Sequence, residues 1–330
     1  MAVTMVPPRE LLPDVLPTER LGPRAKPRPP LRDELRRAPT WRSAWAVLSL
    51  VAMTVGVLVL AVWVAHPLGY LAAFVAEGCM IVRFNILGHE AVHRVLFRDQ
   101  RVNDWVGRWV LSYPAFVPFE LYRRGHMSHH RDELGPEEPD ASLYAGYPIT
   151  RDSLRRKLVR DAVGISGWKI LKGLLRGTRR PATRRVACSI VGVQLAILAV
   201  LALFGRPELY LLWIGPWLTQ WRVANRLRAV AEHAGMQRSK DRRETTHHVR
   251  QGVLARVFMV PYNVGYHLAH HVDMGVPCWH LRRLHRELVA SGWMTPELEY
   301  PNYRALWRAL SSRPVDERGA EASARAEPVG

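Results

Sequence analysis

The chain has 330 residues, enough for one large domain or two small ones, with 47 lysines and arginines against 29 acids, a formal net charge of +18. So basic a balance suits either nucleic acid or the cytoplasmic face of a membrane. Long uncharged runs decide for the membrane and exclude a nucleic-acid partner.

Residues 1–43 hold nine Lys or Arg in a proline-rich setting ("PRAKPRPPLRDELRRAP") and read as a flexible basic arm. Residues 44–65 carry no charge and are long enough to cross a bilayer core of ~30 Å as a helix. After "HP" follows a weaker apolar run, 67–82. The pattern repeats at 186–204 and, after "GRPE", at 209–221. Two helical hairpins, hence about four spans, are expected. The first apolar run begins too late and is too long for a cleavable signal peptide. The tail from 312 to 330 is small and polar and reads as disordered, leaving 44–311 as one membrane domain.

Arginines crowd residues 94–185 and the stretch after 222, whereas the hairpin turns at His66 and Arg206 hold one arginine between them. By the positive-inside rule both termini and all histidine clusters face the cytoplasm, as in a bacterial inner membrane. The expected fold is an all-α integral membrane protein with a cytoplasmic histidine-rich cap. Cys79, Cys188 and Cys278 show no paired spacing and read as packing residues in a reducing compartment.

Nine of the 14 histidines fall in four places: His89 and His93; His126, His129 and His130; His233; and His267, His270 and His271. Histidines four apart share a helix face, and H-x-x-H-H lets three imidazoles converge. The first pair, in "HEAVH", also fits the H-E-x-x-H zinc-protease pattern. Nine imidazoles exceed what one tetrahedral zinc uses, so two metals are expected, four or five nitrogens each. Imidazole suits iron, copper and zinc alike.

These motifs resemble the membrane fatty acid desaturase and hydroxylase superfamily, whose members carry three histidine boxes around a di-iron centre. The likeness spans about residues 44–290. It rests on "GHEAVH", on "YRRGHMSHH", and on "NVGYHLAHHVDMGVPCWHLRRLHREL" with its YHxxHH box, VP turn and LxxLH helix. His233 in "AEHAG" stands where such enzymes place an additional ligand; the position one turn earlier is Ala229, with Asn225 two turns back. The resemblance implies two non-heme irons as cofactors, held by all nine histidines with no catalytic residue beyond them. It implies O2 as co-substrate, a separate ferredoxin or cytochrome b5-type electron donor, and an acyl or other lipid-like substrate. Fatty acyl desaturation is the first expectation. Hydroxylation or ketolation of a lipid, carotenoid or alkane is the alternative, and an HExxH membrane protease the remote one.

Around the boxes, Glu90, Asp140 and Asp273 are candidates to orient an imidazole. Arg123 and Arg124 could meet phosphates or lipid headgroups. Glu77, an ionisable group inside a span, is a functional candidate by its cost there. His66 reads as interfacial, and His247, His248, His280 and His285 as solvated or supporting.

Overall fold

The computed structural model describes residues 4–313. A short α1 (Leu31–Leu35) precedes α2 (Thr40–Val64), which turns directly into α3 (Pro67–Val92). Then come α4 (Gln100–Trp105), a π-helical stretch (Val106–Ser112), α5 (Phe119–Arg131), α6 (Ala141–Tyr144), α7 (Arg151–Ala162) and α8 (Ile165–Gly177). α9 (Arg184–Leu203), α10 (Leu211–Leu218) and α11 (Gln220–His233) follow. The last third holds α12 (Arg242–Thr245), α13 (Val253–Phe258), α14 (His267–Val272), α15 (Cys278–Ala290) and α16 (Tyr303–Leu310). Among the described residues the only named strands, β1 (His248–Val249) and β2 (Glu299–Tyr300), form one parallel pair.

Among the described residues three helical stretches are long and apolar enough to cross a membrane: Leu31–Val64, whose apolar part is α2, then Pro67–Val92 and Arg184–Leu203. The first and third bury 17% of their apolar window and the second 61%, so α3 is the central helix and α2 and α9 present their side chains outward. Trp41, Trp45, Leu48, Val59 and Trp63 of α2 are accordingly exposed, as lipid-facing residues must be. Cys188 on α9 is exposed too, unlike the buried Cys79 and Cys278, and so is not the packing residue expected.

Local chemistry explains the long run of α3. Pro67 sits in the first turn, where its missing N–H costs nothing, and the His66 imidazole accepts the Leu68 N–H at 3.2 Å. The helix then continues unbroken past the apolar part into "GHEAV", so its last turns carry the first histidine box.

The stretch 209–221 differs from the single span expected of it. It is divided into a 3-10 turn (Pro207–Tyr210), the eight-residue α10 and the start of α11. Pro216 lies inside α10 and can donate no backbone hydrogen bond. The break comes at Thr219, which leaves helical geometry while its hydroxyl and N–H both turn back to the Gly215 carbonyl. Trp213 and Trp217 of α10 donate to the carbonyls of Pro114 and Ala115, both at 3.0 Å, tying this helix to the loop before α5.

The N-terminal basic segment is not the loose arm its composition suggests, as far as residues 4–43 are concerned. Leu21, Ala25, Leu31 and Leu35 are buried against Leu268, Val272, Leu281 and Leu284 of α14 and α15. Each buried leucine contributes roughly 2 kcal/mol. Arg36 forms a two-pronged pair with Asp273 at 2.9 and 3.0 Å, and Arg20 another with Glu287 at 2.8 Å. The segment is a strap over the third histidine box. Of the tail expected from residue 312, residues 314–330 lie outside the described part.

Candidate metal centre

The elements just described bring all nine expected histidines into one buried region. His89 comes from the last turns of α3 and His93 from its C-terminal cap; His126, His129 and His130 come from α5. His233 ends α11, and His267, His270 and His271 fill the six-residue α14. They sort into two groups. In the first, one ring nitrogen from each of His89, His93, His126, His130 and His270 lies within 4.8 Å of the others. In the second, His129, His233 and His271 do the same, and the His267 Nε2 lies 3.1 Å from that of His233 and 2.9 Å from that of His271.

The spacing within the first group is informative. Nε2–Nε2 separations are 3.2 Å for His89–His93, 2.9 Å for His93–His126, and 3.1 Å for both His126–His130 and His130–His270. A metal–nitrogen bond of ~2.1 Å puts neighbouring nitrogens about 3.0 Å apart at right angles, and about 3.4 Å apart in a tetrahedron. Separations of this size suit nitrogens that would share one ion.

Proton positions point the same way. The His233 Nδ1 lies 2.9 Å from the Thr245 carbonyl, His129 Nδ1 meets Glu138, and His271 Nδ1 meets Glu133. A carbonyl or carboxylate accepts, so each Nδ1 carries the proton and each Nε2 a lone pair. Burial holds His126, His130, His233, His267, His270 and His271 well below their ordinary pKa, hence neutral. His129 differs: burial lowers its pKa, but the bond to and charge of Glu138, with the charges of Glu133 and Asp140, outweigh that and raise it. Lone pairs converging at hydrogen-bond distance repel unless a cation sits between them, so these residues fit metal ions.

Carboxylates surround the imidazoles. Glu138 takes the His129 Nδ1–H together with the Leu134 N–H and the Tyr144 hydroxyl. Glu133 takes that of His271, the Thr245 hydroxyl and the Arg242 guanidinium. Glu232 stands 3.3 Å from the His267 Nδ1 and is paired to Arg228 at 2.7 Å. Sequence reasoning missed these three glutamates. Glu133 stands three residues past His130 and Glu232 one before His233, a proximity that could have flagged them.

The acids it did single out fare unequally. Glu90 accepts the Cys278 N–H at 2.7 Å and lies 3.5 Å from the His89 Nδ1, so it braces the first box against the third. As the water-activating base of a zinc protease it would be misplaced. Asp273 orients no imidazole; Arg36 occupies both its oxygens. Asp140 lines a cavity of about 150 Å³ beside His126, His129, His233 and His267, with Tyr122, Asn225 and Arg228. Burial raises its pKa. Arg123 is committed internally, to the Ala91 and Val92 carbonyls and to Asp104, which leaves Arg124 as the exposed one of the pair. Glu77 is fully buried with neither oxygen hydrogen-bonded. His247 and His248 are buried, not solvated, His247 donating its Nε2–H to the Ala234 carbonyl at 2.8 Å and His248 stacking on His285 at 4.4 Å.

Comparison with known proteins agrees with this geometry. An sn-1 oleoyl-lipid 12-desaturase of Arthrospira platensis is 33% identical over 92 residues, 27% of this chain and 25% of the relative. One of Anabaena variabilis is 26% identical over 195 residues, 54% of each chain. A dihydrorhizobitoxine desaturase of Bradyrhizobium elkanii is 25% identical over 240 residues, 67% of each. The chain thus matches a quarter to two thirds of these relatives' lengths. The family model for fatty acid desaturases matches residues 61–307, a span that contains all nine histidines of the two groups. The chain belongs to the fatty acid desaturase family.

Proposed function

We propose that this protein is an O2-dependent, di-iron acyl-lipid desaturase that converts a CH2–CH2 unit of a fatty acyl chain into a double bond. The observation that carries the reading is the sorting of nine imidazoles, eight buried and His93 partly so, into groups of five and four. His89, His93, His126, His130 and His270 would hold one iron and His129, His233, His267 and His271 the other. Bound there, the irons supply the oxygen chemistry that removes hydrogen from an unactivated carbon. The balance is one O2, two electrons and two protons consumed with two substrate hydrogens, giving the alkene and two waters; a ferredoxin or cytochrome b5-type donor supplies the electrons.

The chain's own residues prepare the place. Glu133 and Glu138 hold the Nδ1 protons of His271 and His129 and so fix which way those rings face. Burial keeps water from competing for the lone pairs. α11 separates two environments: Asn225, Arg228 and Glu232 face the histidine cavity, whereas Val223, Ala224 and Leu227 line an apolar cavity of about 730 Å³ with Phe258 and Trp307. That chamber suits a hydrocarbon chain. Orientation follows the arginines, with the histidines and both termini on the cytoplasmic side of a bacterial inner membrane and a fourth crossing through 209–221, which is α10 with its flanking residues.

A second reading has its own observation. The cavity beside the histidines is small and polar, and one relative's name carries dihydrorhizobitoxine, not an acyl lipid. A compact polar substrate would fit that cavity.

Elemental analysis of the purified protein tests the metal. About two irons and little zinc per chain support the reading; one zinc and no iron would end it. Lipid and polar-metabolite profiles of cells with and without the gene then separate the two substrates, because only one profile gains an unsaturated product.

A further inference from the structure

A cationic pocket shares one wall residue, Arg242, with the surroundings of the histidines, because Arg242 also pairs with Glu133. It has a volume of about 230 Å³, and its charged lining is Arg24, Lys240, Arg242 and Arg243 against Asp14 and Asp241. Arg243 is saturated: it grips Asp241 through Nε and Nη2 and donates to the Pro13 and Trp293 carbonyls. Arg24 and Lys240 are exposed, and among the described residues neither has an ion-pair or hydrogen-bond partner from its side chain.

Arg242 links this pocket to the metal site. Its Nη1 lies 2.6 Å from Glu133, which holds His271, and its Nη2 donates to the His130 carbonyl at 3.1 Å. Its side chain is 22% exposed, so a polar route runs from solvent through guanidinium and carboxylate to an imidazole of the second group. The pocket faces water. The large exposed apolar side chains lie chiefly on α2, α8, α9 and α13, and of them only Val15 lines the pocket.

We propose that this pocket is where an acidic one-electron carrier protein docks, a surface carboxylate of the carrier lying between Arg24 and Lys240. The inference rests on the oxidoreductase reading above and adds to it the place of electron entry. Each encounter oxidises the carrier by one electron and reduces the metal centre by one, and two encounters supply a turnover. Unpaired surface cations steer a partner of opposite charge, and transient redox contacts need little area. The pocket is formed jointly by the N-terminal strap and the loop before α12, so both ends of the domain contribute to it.

The test uses iron-loaded full-length protein in phosphatidylcholine nanodiscs and a reduced [2Fe–2S] ferredoxin of net negative charge, with ferredoxin oxidation followed by stopped flow. Arg24→Glu with Lys240→Glu is expected to lower the second-order rate roughly tenfold at low salt, the difference closing as salt screens the charges. The charge-matched control, Arg179→Glu with Arg180→Glu in the turn after α8, is expected to keep the original rate. Dithionite, too small to need the pocket, should reduce the irons of all three alike. An unchanged rate in the first variant, or an equal loss in the control, overturns the docking assignment. An effect of the first pair seen only in phosphatidylglycerol discs assigns the pocket to lipid headgroups and overturns it as well. Failure of dithionite to reduce the unmodified protein brings down the oxidoreductase reading itself, and the docking site with it.

Discussion

Glu133 and Thr245 stand 112 residues apart in sequence, yet the Thr245 hydroxyl donates to the Glu133 carboxylate. The Thr245 carbonyl meanwhile accepts from His233, and Glu133 accepts from His271. One threonine thus ties together the supports of two imidazoles of the second group. Glu133→Gln keeps the shape but weakens the grip on the His271 proton. Where the second group holds one of the two irons proposed above, its affinity for that iron is expected to fall ~10–100-fold. Titration with a chelator, following release of the two irons separately, checks it; loss of both irons at the same chelator concentration would contradict this.

The pair Arg36–Asp273 yields a stability prediction. The Asp273 side chain is 2% exposed and that of Arg36 44%, so removing the arginine leaves a buried carboxylate without its partner. Arg36→Ala should cost ~1–3 kcal/mol, discounted for the exposure of the arginine. Arg36→Lys should recover only part of that, since an ammonium cannot fork onto both oxygens. Thermal unfolding in detergent measures both; a Lys variant as weak as Ala would argue that geometry alone matters here.

How much of this was legible beforehand depends on the scale of each signal. Eight of the nine candidate histidines stood out because their spacing is local, four residues or fewer within a box, and helices convert it directly into shared faces; His233, which stands alone, came from the resemblance. The apolar runs of α2 and α9 were equally plain, being long and uncharged. Glu138 and Glu232 were missed because a carboxylate near a histidine is common, and only tertiary packing says which one meets an Nδ1. The strap was missed for a related reason: a stretch rich in Pro and Arg looks solvated, and the four apolar residues it packs against α14 and α15 are too widely scattered to announce themselves. The division of 209–221 turned on Pro216 and on the Thr219–Gly215 bonds, and hydropathy registers neither.

Acid sensitivity should come partly from histidines outside the metal groups. Burial pushes His247 down to about 4 and His248 down to about 3. Unfolded, both titrate near 6.5. Above that value neither state is protonated and the two residues leave stability unaffected by pH. As pH falls below it, the unfolded chain takes up protons that the fold refuses, and stability drops. The slope is up to roughly 1.4 kcal/mol per histidine per pH unit, between about 6.5 and 4. Melting temperature measured from pH 7.5 to 5 should fall less steeply in His247→Gln than in the unmodified protein. Parallel curves would show that this buried imidazole is silent.

Two glycines on α8 make a matched pair. A Cβ on Gly167 would come within 2.2 Å of the Leu218 carbonyl oxygen, whereas one on Gly173 meets nothing within 4 Å. Gly167→Ala is expected to cost about 1–3 kcal/mol by forcing α8 away from α10. Gly173→Ala should gain up to about 1 kcal/mol from helix propensity alone. Unfolding midpoints of the two variants should move in opposite directions; a shift in the same direction would deny the close approach at Gly167.

The strap also dictates an order of assembly. Arg36 meets a partner 237 residues later in the chain, and Arg20 one 267 residues later. During synthesis at the membrane, α2 and α3 can enter the bilayer at once, while the segment before them has nothing to fasten onto. Only when translation has passed residue 287 do its leucines and arginines find α14 and α15. The earliest residues made are therefore among the last to settle. Until then the third histidine box lacks its cover.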